Sequence, residues 1–262
     1  MNLDLSNKTA LICGSTQGIG KAAAFELAQL GARVVLMART KDKLKLVADE
    51  IALKFEYTPD FIVADFSNPD QVQANVKEYV ALKGGFHILV NNTGGPPSGQ
   101  ITDAQTQNFI DAFNAHLICN HLLAQTCLPF MKKSGFGRII NVISTSVKQP
   151  IKGLGVSNTI RAAVGNWSKT LSLEVATYGI TVNNVLPGAT LTSRLEQIIQ
   201  EKSKKSQQSM DKVMEEMTSE IPAKRFGQAT EIAAAIAFLA SPAAAYINGT
   251  NLVVDGGRTA CL

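Results

Sequence analysis

No apolar run in this 262-residue chain approaches the roughly 18–20 residues that a membrane-crossing helix needs, so no membrane partner is expected. The four cysteines, Cys13, Cys119, Cys127 and Cys261, have neither CxxC nor metal-ligand spacing. A disulfide framework and a metal site are therefore not expected, and the three that fall in apolar segments read as buried, reduced thiols. No Pro/Gly/Ser-rich linker or low-complexity tract divides the chain, which predicts a single domain over residues 1–262. The stretch "MNLDLSNKTALICG" lacks the basic start, long apolar core and cleavage site of a secretory leader, and a cytoplasmic location is expected. Basic blocks are scarce as well. The net charge is +4, and the one cluster, "EKSKKSQQ" (201–208), carries its own glutamate and reads as a solvated helix face, so nucleic acid is not expected as a partner. One further gap concerns tyrosine: none occurs between Tyr79 and Tyr178.

What the chain does hold is apolar residues, 45% of the total against 18% charged, enough for a sizeable core. Short β-rich runs recur at 9–13, 33–37, 61–64, 86–90, 137–143, 180–186 and 250–255. Their hydrophobicity is continuous, as in strands covered on both faces. Between them, segments such as "GKAAAFELAQLG" (20–31) and "QVQANVKEYVALKG" (71–84) space apolar residues at helical intervals. Strand and helix alternating along the chain predicts a single-domain α/β fold. It is a doubly wound (Rossmann-type) parallel sheet of about seven strands with helices on both faces. The segment near 191–222 breaks the alternation with amphipathic helices and no strand, and is expected as a helical lid over a substrate. Its methionines, Met210, Met214 and Met217, fit either ordinary packing or an adaptable binding surface.

The first strand runs into "CGSTQGIGKAAA". Gly14, Ser15, Thr16, Gly18, Ile19 and Gly20 form the turn from strand to helix. There the chain must bend tightly, and the helix N-terminus offers free N–H groups and a positive dipole end to a phosphate. Strand two ends in "VVLMARTKDKL". An acidic residue at this end would accept hydrogen bonds from ribose hydroxyls and repel a 2′-phosphate, but Ala38 and Arg39 stand here, with Lys41 and Lys43 close by. A guanidinium can hold a 2′-phosphate through paired charge-assisted bonds. NADP(H) is thus favoured over NAD(H), with Arg39 as the discriminating residue.

These motifs, in this order, resemble the short-chain dehydrogenase/reductase family almost end to end. The spacing Gly14-x-x-x-Gly18-Ile19-Gly20 is similar to the family's, although Cys13 stands where a threonine usually precedes the first glycine. The resemblance implies that Asp65 in "ADFSNPD" binds the adenine ring, with the Phe66 backbone beside it. "NNTGG" resembles the family's NNAG, with Thr93 in place of the alanine and Asn91 and Gly94 flanking the cofactor. "NNVLPGATLT" is similar to its PG motif, which implies Pro187, Gly188, Thr190 and Thr192 along the nicotinamide and pyrophosphate. "YINGTNLVVDGG" resembles its last strand. The branch it most resembles is the 3-oxoacyl-carrier-protein-reductase-like group. That likeness implies reduction of a small or acyl-type carbonyl, and a homo-oligomer, a tetramer or dimer.

Members of this family use an asparagine, a serine, and the tyrosine and lysine of YxxxK. "GRIINVIS" places Ser144 at the serine position, where its hydroxyl could hydrogen-bond the substrate carbonyl; the lesser alternative is a serine of "STS" that caps a turn. Thirteen residues on stands Ser157, and four further on Arg161, so the chain resembles a divergent member lacking that tyrosine and lysine. Ser157 is a far weaker acid than a phenol but can hydrogen-bond an oxyanion. Arg161 stays protonated and can stabilise negative charge or grip the nicotinamide ribose. One helical turn apart, the two share a face. His116, in "NAHLICN", falls where the asparagine is expected. Its imidazole, with an ordinary pKa near 6.5, is either a proton donor or a histidine satisfied by backbone groups. Lys148 and Lys152, in the loop after Ser144, could also approach the carbonyl. The expectation is an NADPH-dependent carbonyl reductase with an atypical site. The alternative is an NADP(H)-binding sensor or scaffold without redox turnover.

Overall fold

The apolar runs become seven strands of one sheet, and the intervening helical patterns become its covering layers. The computed structural model describes residues 1–261. Along the first half, β1 (Thr9–Cys13), β2 (Arg33–Ala38), β3 (Asp60–Val63) and β4 (Ile88–Asn91) alternate with α1 (Gly18–Gln29), α2 (Lys41–Phe55) and α3 (Pro69–Lys83). In the second half, α4 (Thr106–Phe113) and α5 (Cys119–Ser134) precede β5 (Gly137–Val142). Then follow α6 (Gly155–Val175), β6 (Ile180–Pro187), α7 (Ser193–Ser206), α8 (Met210–Ser219), α9 (Ala229–Ala240) and β7 (Asn251–Val254). Every pairing is parallel and the order is β3-β2-β1-β4-β5-β6-β7. The chain reverses its direction of winding between β1 and β4. In doubly wound sheets that reversal opens a crevice at the carboxyl ends of the strands.

Alternate residues of β1 show why its sequence is apolar throughout. Ala10 and Ile12 pack with Ala23 and Leu27 of α1, Leu44 of α2 and Ile236 of α9. Leu11 and Cys13 turn the other way, toward Val72 and Val76 of α3 and Leu123 and Cys127 of α5. Cys13, Cys119 and Cys127 are buried and Cys261 is exposed, and burial pushes the Cys119 and Cys127 thiols up to about 12. No helix among the described residues is long and apolar enough to cross a membrane. The helix over 71–84 begins two residues early, because Pro69 occupies its first turn and the Asn68 side chain accepts from the Gln71 N–H at 3.1 Å. Proline tolerates that position since the N–H it lacks would be unpaired there.

Four asparagines cross the sheet in register, Asn91, Asn141, Asn184 and Asn251. Asn91 Nδ2 donates to Asn141 Oδ1 at 2.8 Å, Asn141 Nδ2 to Asn184 Oδ1 at 2.9 Å, and Asn184 Nδ2 to Asn251 Oδ1 at 2.8 Å. This side-chain ladder ties β4 through β7 together below the crevice.

The segment near 191–222 folds as the helical insertion α7–α8. Thr192 and Ser209 cap the two helices through their hydroxyls. Leu195, Ile199, Val213, Met217, Ile221 and Phe226 make a small core separate from the main layers.

Candidate active site

The glycine turn after β1 takes its shape from backbone crowding. Gly14 (φ +60°) and Gly18 (φ +54°) lie in the left-handed region that favours glycine. A Cβ on Gly20 would come within 2.2 Å of the Gly14 carbonyl oxygen. Asn92 Nδ2 donates to the carbonyls of Cys13 and Gly14 at 3.2 and 3.4 Å, so β4 buttresses the turn. Helix α1 has no side-chain cap and no acidic residue in its first turn. Its N-terminal N–H groups are therefore left to face an anion. These features fit a dinucleotide pyrophosphate. Arg39, exposed at the end of β2, is in none of the ion pairs among the described residues, although its charge helps lower the Asp65 carboxyl, and it lines the same cavity as Lys43 and Asp65. The Asp65 carboxyl lies below its ordinary range, held there first by the Ser67 backbone N–H.

That cavity, about 1010 Å³, runs along the carboxyl ends of the strands from Arg39 to the α7–α8 insertion. It brings together Gly14, Thr16, Gly18, Ile19, Thr93, Gly94, Phe66, Pro187, Gly188, Thr190 and Thr192 at its cofactor end, and His116, Ser144, Ser157 and Arg161 deeper in. Three residues singled out from sequence do not line it. Ser15 is fully buried and its hydroxyl accepts from the Met37 N–H at 3.0 Å, joining β1 to β2. Gly20 is needed for close packing behind the turn. Asn91 belongs to the asparagine ladder, and its neighbour Asn92 reaches the cavity in its place.

Ser144 caps a turn and also lines the cavity. Its Oγ accepts from the Ser146 N–H at 3.1 Å, capping the short turn Thr145–Val147, and the hydroxyl still lines the cavity with its proton free to donate. Ser157 stands half-buried in the first turns of α6, and among the described residues no side-chain hydrogen bond engages its hydroxyl. Arg161, one turn on, is only 8% exposed. Its Nη1 donates to the Val142 carbonyl at 2.9 Å, while its Nε has no partner. Burial, and secondarily the nearby Arg194, lower its pKa to about 10, so the guanidinium remains cationic at neutral pH.

His116 sits in a π-helical turn, Asn114–Ile118, between α4 and α5. The widened turn is a frequent device for re-aiming a functional side chain. Here the imidazole is 3% exposed. Burial holds it well below its ordinary pKa, the Arg161 charge adds to this, and a hydrogen bond with the Gly94 backbone opposes it. That depression favours the uncharged imidazole over its protonated form. Lys152 reaches the cavity wall and Lys148 does not.

The insertion closes the far side. Arg194 Nη2 donates to the Pro96 carbonyl at 2.7 Å, Ser98 Oγ donates to Glu201, and Gln17 Nε2 donates to Ser193 Oγ at 3.0 Å. Lys202 and Lys205, expected on a solvated face, are exposed but also stand at the cavity wall. The methionines divide by position: Met214 packs, Met217 both packs and lines the cavity, and Met210 faces solvent. Arg194 and Asn92 were not singled out in sequence. The doubled asparagine of "NNTGG" was a signal for Asn92, and a cation two residues after a threonine cap was one for Arg194.

A phosphate cradle at the reversal point of the sheet, opening beside free hydroxyls and a buried guanidinium, defines a nucleotide-dependent oxidoreductase of the doubly wound class. Residues 14–259 match the family model described as enoyl-(acyl carrier protein) reductase. The chain is 32% identical over 254 residues to the NADPH-dependent reductase BacG of Bacillus subtilis, covering 97% of this chain and 98% of that one. It is 33% identical over 255 residues to the 3-oxoacyl-[acyl-carrier-protein] reductase FabG of Staphylococcus epidermidis, with coverage of 96% and 98%. Among solved structures, L-sorbose reductase from Gluconobacter frateurii, complexed with NADPH and L-sorbose, superposes with a TM-score of 0.94 at 33% identity over the whole of both chains. The chain belongs to the short-chain dehydrogenase/reductase superfamily.

Proposed function

We propose that this chain is an NADPH-dependent reductase of a carbonyl or oxoacyl-like substrate, working with a serine and an arginine where its relatives use tyrosine and lysine. The observation that carries the reading is the one cavity that the glycine turn, Arg39, Ser144, Ser157 and Arg161 line together. The glycine turn and the α1 N-terminus would hold the pyrophosphate, Arg39 with Lys43 the 2′-phosphate, Asp65 and Phe66 the adenine, and Thr93, Gly94 and the Pro187–Thr192 segment the nicotinamide half. When bound, the dihydronicotinamide supplies a hydride to the carbonyl carbon.

The protein's share is to orient the carbonyl and stabilise the oxygen as charge builds on it. Ser144 and Ser157 donate hydrogen bonds to that oxygen, and Arg161, cationic and shielded from water, offers it a fixed positive charge. Burial and the Arg161 charge disfavour the protonated form of His116, and its hydrogen bond with the Gly94 backbone suits it to positioning the Thr93–Gly94 segment; water, relayed through the Ser157 hydroxyl, is then the proton source. Residues 191–222 act as a lid, latched by the Ser98–Glu201 and Arg194–Pro96 contacts. Association into a dimer or tetramer is part of the same reading, supported by the family resemblance and by exposed apolar side chains such as Phe113 and Leu173. A monomer in sedimentation would remove that part.

The test is NADPH oxidation with a panel of ketones, oxo acids and oxoacyl thioesters, in wild type and in Ser144→Ala and Ser157→Ala. Turnover that falls by about 100-fold in either variant is expected. Saturable NADPH binding with no turnover of any substrate would leave the protein a cofactor binder without redox activity.

A further inference from the structure

The deep end of the cavity holds two guanidiniums, and among the described residues neither is in an ion pair. Arg161 is buried, with its Nε unpartnered. Arg194, in the first turn of α7, approaches from the lid. Arg161 Nη2 and Arg194 Nε lie 3.8 and 4.0 Å from the point where a Cβ on Gly95 would stand, so the two cations flank the same glycine. The ion pairs of the described residues are Lys21–Glu50, Arg225–Glu231 and Arg258–Glu220, and neither arginine takes part. The carboxylates of the cavity wall, Asp65, Asp111 and Glu201, accept from Ser67, Gln107 and Ser98, and among the described residues none forms an ion pair with either arginine. Like charges this close repel, and a buried charge without a counter-charge is costly. The arrangement is stable as a site when an anion completes it. A guanidinium's planar fork matches the two oxygens of a carboxylate.

We propose that the substrate is an oxo acid, whose free carboxylate is taken between Arg194 and Arg161. This rests on the carbonyl-reductase reading above. Ser144, Ser157 and Arg161 line the same pocket, so the carboxylate lies close to the reacting carbonyl. A 2-oxo or 3-oxo acid has that spacing, and its neutral ester loses the anchor. Gly95 leaves the space between the two guanidiniums open, and any side chain there would project into it.

Two measurements test this. Calorimetric titration of oxalate into the protein saturated with NADP⁺ reads the anion site without any reaction. Saturable binding is expected, weakened roughly tenfold or more in Arg194→Gln, partly restored in Arg194→Lys, and absent with dimethyl oxalate. Because the cofactor is already bound, failure of oxalate to bind, binding unchanged in Arg194→Gln, or tighter binding of inorganic phosphate overturns the inference. The second measurement compares acetoacetate and 2-oxobutyrate with their methyl esters as oxidants of NADPH. The acids are expected to be favoured by roughly tenfold or more in kcat/KM, and Arg194→Gln to reduce that preference through KM. Esters reduced as readily as the acids overturn the oxo-acid assignment and leave carbonyl reduction standing. Oxalate binding that depends on Arg194, without turnover of any carbonyl, strikes the reductase reading and not the anion site.

Discussion

At the scale of single residues, charge and burial carry the chemistry. Arg39 is solvent-exposed and in none of the ion pairs among the described residues, so the role proposed for it rests on the 2′-phosphate it would meet. Arg39→Asp is expected to weaken NADPH binding by roughly tenfold or more and to narrow or reverse the preference over NADH, as fluorescence titration of both cofactors would record. His116 makes a different prediction. Its folded-state pKa is depressed, so below an unfolded pKa of about 6.5 the unfolded chain binds a proton that the folded chain refuses. Stability should therefore fall as pH drops below about 6.5, with the less buried His87, whose pKa is also lowered by burial, contributing in the same direction. Thermal melts at stepped pH values should show a shallower acid decline in His116→Asn than in wild type. An identical decline would mean that the imidazole accepts its proton in place.

At the scale of elements, the asparagine ladder and the α7 latch are testable separately. Asn141 is fully buried. It accepts from Asn91 and donates to Asn184 and to Ser168 Oγ at 3.2 Å. Asn141→Ala strands several buried polar groups and is expected to cost about 3 kcal/mol in denaturant unfolding. Glu201→Ala removes the Ser98 contact and should speed hydrogen exchange in α7 while leaving β1–β4 unchanged. The elements themselves were largely legible in the sequence, because continuous apolar runs and helical spacing report burial directly. Helix boundaries were less so, since α3 starts at a proline and cap that lie before its apolar pattern. The insertion was legible as helices, but its direction was not. Whether Lys202, Lys205 and Met217 face solvent or cavity depends on how α7 packs on α8, and periodicity does not encode that.

At the scale of the molecule, the cofactor should behave as a structural part. Its site joins β1, β2, β4 and β6 through one cavity, so binding favours the folded state over the unfolded one. NADPH at about a hundredfold excess over its Kd should stabilise the protein by about 2.7 kcal/mol, a rise of roughly 5–10 °C in Tm for a chain of this length. The sequence by itself determined the class of fold and the phosphate cradle, because both are written in local patterns: apolar periodicity, and glycines at the end of a strand. Ser144, Ser157 and Arg161 were singled out through the resemblance to the short-chain dehydrogenase/reductase family, whose register lands on them. Only the tertiary structure decided that His116 is buried with its pKa pushed down, that Ser15 and Asn91 serve the sheet, and that Arg161 and Arg194 flank Gly95 with neither in an ion pair among the described residues. Those outcomes depend on desolvation and on distances between segments far apart in the chain, which spacing within the sequence does not express.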